Sequence, residues 1–99
     1  MNSLHSLDSG TVSVTNTQNH ASWVPVAVLF RFDAPVTATL TITRTTAETV
    51  FQLTTVELVD NQSATWVPEA DYRFNLNDVL TVTSTAANGT VEIIRKAAQ

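Results

Sequence analysis

From Val36 to Thr43 the chain alternates without a break. Val36, Ala38, Leu40 and Ile42 are apolar, whereas Thr37, Thr39, Thr41 and Thr43 carry hydroxyls. A period of two puts each set on its own face of a pleated strand, and a helix would scatter both around its circumference. The device recurs in Val26, Val28, Phe30 and Phe32, in Leu80 and Val82 between Thr81 and Thr83, in Tyr72, Phe74 and Leu76, and in Val91 and Ile93. No stretch shows the i, i+3, i+4, i+7 stripe of an amphipathic helix. The 17 threonines and 13 valines point the same way. Both residue types are stiff at χ1, which disfavours helix and suits a half-buried sheet.

The spacing predicts strands near 26–33, 36–45, 49–59, 72–76, 79–85 and 90–96, with a seventh at 11–17. Within 49–59 the apolar phase switches, from Phe51 and Leu53 to Val56 and Leu58. One extra residue near Thr54 and Thr55, a β-bulge, would keep both pairs on the core side. Turn signals lie at 33–35, 45–48, 60–63, 77–78 and 86–89. Asn88 and Gly89 are the sharpest, since both tolerate the positive φ of a tight hairpin. The expected fold is all-β: an antiparallel β-sandwich, jelly-roll-like, forming one domain over 11–99 behind a polar N-terminal arm at 1–10.

An internal repeat refines that picture. Ala21-Ser22-Trp23-Val24-Pro25 returns as Ala64-Thr65-Trp66-Val67-Pro68, in a chain with only 2 tryptophans and 3 prolines. Arg31-Phe32-Asp33 then faces Arg73-Phe74-Asn75, and Leu40-Thr41-Ile42-Thr43 faces Leu80-Thr81-Val82-Thr83. The expectation is two related three-stranded halves, each opened by a Trp-Val-Pro loop.

Composition excludes much chemistry. With no cysteine there is no disulfide, thiolate metal site or thiol nucleophile. A net charge of −4 with only 5 basic residues argues against nucleic-acid binding, which needs a basic face. The longest apolar run, from Val24 to Phe30, contains Pro25 and is too short to span a membrane as a helix. The first ten residues show neither the basic nor the apolar region of a secretory signal, so the expectation is synthesis and use without export. The only glycines, Gly10 and Gly89, form no phosphate-cradling motif.

Candidate reactive groups are few. His5 and His20 lie in polar sequence beside Ser3, Ser6, Ser9 and Asp8, a Ser–His–Asp set without nucleophile-elbow spacing. Glu69, Asp71, Asp60 and Asp78 are candidates for a carboxylate pair of glycoside hydrolysis, while Glu48, Glu57 and Glu92 point most simply to solvent. Asp60, Asn61, Glu69, Asp71 and Asp78 are also candidate oxygen ligands for Ca²⁺, though not at EF-hand spacing. None of these sets makes a motif, and the reading is no catalytic residue, no metal and no cofactor. Trp23 and Trp66 read either as lids on the core, as a sugar-stacking platform or as contacts to a partner.

What remains is surface. Only 14% of residues are charged, below the share usual for a free small domain, and Thr, Ser, Asn and Gln take their place. Such a surface can be buried against other molecules without desolvating charges. Leu4 and Leu7 in the polar arm, with Trp23 and Trp66, are the candidate partner-interface residues.

The segment Phe74-Asn75-Leu76-Asn77-Asp78-Val79-Leu80-Thr81-Val82-Thr83, followed by Asn88-Gly89-Thr90-Val91-Glu92-Ile93, resembles the closing strands of small all-β virion proteins of tailed bacteriophages. These include capsid decoration, or cement, proteins. Asn77 stands where those proteins frequently have glycine. The resemblance implies a non-enzymatic virion protein, made in the host cytoplasm, that binds the major capsid protein or another lattice protein, often as a trimer. A non-catalytic carbohydrate-binding module using Trp23 and Trp66 is the alternative.

Overall fold

The computed structural model describes residues 2–7, 10–17 and 21–98. All regular structure in it is antiparallel sheet, in the strands β1 (Asn2–Ser6), β2 (Thr11–Thr15), β3 (Trp23–Thr46), β4 (Thr49–Trp66), β5 (Val79–Ser84) and β6 (Gly89–Ala97). The strand order is β1-β6-β3-β5-β2, with β4 also paired to β3.

The long strand β3 organises the molecule. Its first part, Trp23 to Phe32, pairs with β6, and its last part, Leu40 to Thr45, pairs with β5. β4 runs along the opposite edge from Val28 to Thr46. The sheet therefore folds over into two layers, β1-β6-β3-β4 and β2-β5-β3-β4, with the β3–β4 hairpin passing from one to the other. Alternating residues of both layers, among them Val28, Phe30, Val91 and Ile93 against Leu40, Ile42, Leu80 and Val82, meet in one buried cluster. This is an antiparallel sandwich in the jelly-roll manner.

The corner sits where a turn was expected at 33–35. The register jumps from Arg31↔Ser63 to Val36↔Asn61, so Asp33, Ala34 and Pro35 bulge out exposed while β3 continues. Expected strands 26–33 and 36–45 are thus one bent strand. Proline costs nothing at a bulge, where its missing N–H has no ladder partner to lose. On β4 the compensating residue is Asp60, at φ 50°, whose N–H donates to Thr37 Oγ1 at 3.2 Å. The predicted bulge in β4 is present one residue early: Ile42 pairs with Thr54 and Thr43 with Gln52, leaving Leu53 as the extra residue.

Four expectations are corrected. Residues 72–76 form no strand; Phe74 makes a single bridge, to Trp23, and the rest of that segment is loop. Asn88 and Gly89 close no hairpin, because β5 and β6 are not neighbours in the sheet. The link at 85–88 instead crosses between layers, and its flanking residues are tied to Gly10 and Leu7 by Ser84 N–H to Gly10 O at 2.7 Å and Leu7 N–H to Gly89 O at 2.8 Å. Nor are the two halves related: Trp23 opens a strand, whereas Trp66 closes one and leads into a loop. The repeated tripeptide serves two different ends of the core. Finally, 2–6 is an edge strand of the sheet rather than a free arm, because its backbone completes the ladder with β6 and Leu7 enters the core.

Candidate interaction surfaces

Among the described residues the reactive candidates do not converge. His5 faces inward from β1 beside Val91, and its Nε2 is buried with no hydrogen-bond partner among the described residues. Ser3 lies on the same inward side and Ser6 on the other, while Asp8, Ser9 and His20 lie outside the described residues. Asp78 is 5% exposed and accepts a hydrogen bond from Asn75 N–H at 2.9 Å, which closes the turn where Asn77 takes φ 70°. Asp60, Glu69 and Asp71 are exposed, and among the described residues no three His, Cys, Asp or Glu gather closely enough to hold a metal ion.

Three of the four candidate interface residues are turned inward. Leu7 is fully buried, and Trp23 and Trp66 are only 4% and 9% exposed. Trp23 stacks on Phe74, and Trp66 lies against Tyr72 with ring centroids 6.2 Å apart. Their indole faces are spent on this chain's own core, so they offer neither a sugar platform nor a partner contact. Leu4 is the exception, 72% exposed on the outside of β1.

The outer face of the β5 layer carries three neutral rows, bordered by the Thr39–Glu57 pair, where Thr39 Oγ1 donates to Glu57 Oε1 at 3.2 Å. Its rows run Ser13–Thr81–Thr43–Gln52 and Thr11–Thr83–Thr41–Thr55, followed by Thr15–Val79–Thr45–Val50. No side chain in these rows is charged. Neighbouring hydroxyls satisfy one another in part: Ser13 Oγ and Thr81 Oγ1 are 3.1 Å apart, and Gln52 Nε2 donates to Thr55 Oγ1 at 3.0 Å across the Leu53 bulge. Burying such a face removes no charge from water, and its hydroxyls both donate and accept. The face was legible in the threonine alternation; its continuity over four strands was not.

β4 pairs only with β3, so its outer edge is open along the described residues. Val50, Phe51 and Val59 on it are 63%, 47% and 70% exposed. An edge strand of this length with so few charges is a ready template for further pairing. The sequence reading missed this edge because it ended the strand at residue 59.

This geometry defines a class of protein by its fold: a jelly-roll-like antiparallel sandwich, here with three neutral rows on the outer face of one layer. No family model matches the chain, and no curated protein matches it. Among solved structures it is similar to Drosophila NLP-core, at 13% identity and a TM-score of 0.60, over 100% of this chain and 97% of that one. That structure is described as giving insight into pentamer formation and histone binding. The likeness is one of fold.

Proposed function

We propose that this chain is a non-enzymatic structural protein that assembles as a homo-oligomer and docks on a virion lattice, the major capsid protein of a tailed phage being the partner. The observation that carries the reading is the set of three uncharged rows, mostly threonine, on the outer face of the β5 layer. A lattice-bound protein must bury a broad surface at many equivalent positions, and a neutral hydroxyl face does so without the desolvation cost of charges. Self-assembly is supported by the fold it shares with a pentamer-forming protein. Trimers are the stoichiometry that the resemblance to decoration proteins suggests.

Histone binding is not carried over from that neighbour. A basic partner calls for an acidic patch. Here the face that carries the reading holds neutral rows of threonine, and at 13% identity the likeness to that neighbour is one of fold. The carbohydrate reading has lost Trp23 and Trp66 to the core.

The test is to mix purified protein with capsids that lack it and image the particles. Decoration that changes little between low and high salt supports a neutral docking face. Thr43→Lys combined with Thr81→Lys, which places charges mid-face, abolishes decoration while leaving the fold intact. A protein that never decorates capsids under any salt condition overturns the reading.

A further inference from the structure

The strand β1 is inside-out. Its inward side chains are Ser3, beside Ile93, and His5, beside Val91. Ser3 Oγ and His5 Nε2 are both buried with no hydrogen-bond partner among the described residues. Its leucine, Leu4, points outward and is 72% exposed. A slip of one residue would reverse every side chain. The register is set by Leu7, fully buried two residues beyond His5 in the same phase.

Leu4 stands at the edge of a formed groove. The outer rows of this layer run Leu4–Glu92–Leu29–Thr65 and Ser6–Thr90–Arg31–Ser63. Leu4, Leu29, Arg31, Thr65, Thr90 and Glu92 line a depression of about 360 Å³. In these rows the charged side chains are one cation, Arg31, and one anion, Glu92, on adjacent strands. Asn2 Nδ2 donates to Glu92 Oε2 at 3.1 Å and orients the carboxylate. A two-fold contact joins the same patch on both copies and so needs a projection, a depression and charges of both signs on one face, all of which this face carries.

We infer that this groove is where a second copy of the chain docks about a two-fold axis, Leu4 of each copy seating in the groove of the other and Arg31 facing Glu92 across the contact. The inference rests on the homo-oligomer part of the proposed function and names the surface that serves it. It leaves the threonine face of the opposite layer free for the lattice, and it adds pairing to whatever ring the chain forms.

The test uses sedimentation equilibrium of the full chain, with circular dichroism to verify folding. Wild type associates, and Leu4→Asp weakens association at least tenfold in Kd. Arg31→Glu alone and Glu92→Arg alone each weaken self-association, because each creates a like-charge contact in both halves of the interface. An equimolar mixture of these two variants restores it, because every contact is again between opposite charges. Thr43→Lys with Thr81→Lys leaves association unchanged. The inference is overturned if wild type associates and both Leu4→Asp and the single charge variants associate equally well, or if the mixture gains nothing over either variant. A wild type that is monomeric at every concentration overturns the homo-oligomer reading itself, and the inference with it.

Discussion

The indole of Trp23 lies flat on the ring of Phe74, with centroids 4.5 Å apart and planes inclined by 5°. The two residues also exchange backbone hydrogen bonds, Trp23 N–H to Phe74 O at 3.2 Å and Phe74 N–H to Trp23 O at 2.8 Å. Guanidinium groups flank the pair: Arg95 Cζ is 5.0 Å from the Trp23 ring and Arg44 Cζ is 5.8 Å from the Phe74 ring. Asn16, 2% exposed, adds Nδ2 bonds to Phe74 O and Ala21 O, both at 2.9 Å. A loop with no ladder of its own is thus fastened to the start of β3.

Truncating that attachment should be costly. Phe74→Ala removes a fully buried ring and unstacks Trp23, and a loss of about 3–5 kcal/mol is expected. Urea denaturation followed by tryptophan fluorescence measures it. A loss under about 1 kcal/mol, the size of a single net hydrogen bond, would show that the loop is held by its other contacts rather than by the stacked rings.

The β3–β4 hairpin turns on Ala47 and Glu48, both at positive φ, 49° and 68°. Two-residue hairpins of this kind favour Asn followed by Gly, which reach that region with least steric cost. Ala47→Asn combined with Glu48→Gly should stabilise the protein by about 1–2 kcal/mol. The checking measurement is the denaturation midpoint at unchanged m-value.

Gly89 is required for space rather than for its φ. A Cβ there would lie 2.6 Å from Phe32 Cδ1 and 3.0 Å from Arg31 O. Gly89→Ala should cost about 1–3 kcal/mol by overpacking. Combined with Phe32→Leu, which clears the ring, the total should fall below the sum of the two single losses. Strict additivity would place the strain elsewhere.

His5 buries an imidazole nitrogen that has no hydrogen-bond partner among the described residues, next to Val91. His5→Val removes that penalty and adds a β-branched apolar contact, so a gain of about 1 kcal/mol is expected. For a domain of this size that is a rise of about 4–8 °C in Tm. Calorimetry that finds a lower Tm would assign the histidine a structural bond.

Local pattern by itself determined that this chain is all-β and which residues of most strands point inward. Side-chain alternation is a property of neighbours in sequence, and Leu40, Ile42, Leu80, Val82, Val91 and Ile93 all lie where their period of two puts them. The phase switch in β4 was legible for the same reason, to within one residue. Pairing partners were decided only by the tertiary structure. Nothing local distinguishes a turn from a bulge at Asp33 and Pro35; the continuous edge of β4 across the corner makes it a bulge. Likewise Trp23-Val24-Pro25 and Trp66-Val67-Pro68 are the same letters with different fates, because Trp23 N–H and C=O find Phe74 while the chain after Trp66 finds no strand to join. The direction of Leu4 was decided farthest from home. Its own strand gains nothing from facing it outward, and it does so because Leu7 wins the core and fixes the register for all of β1.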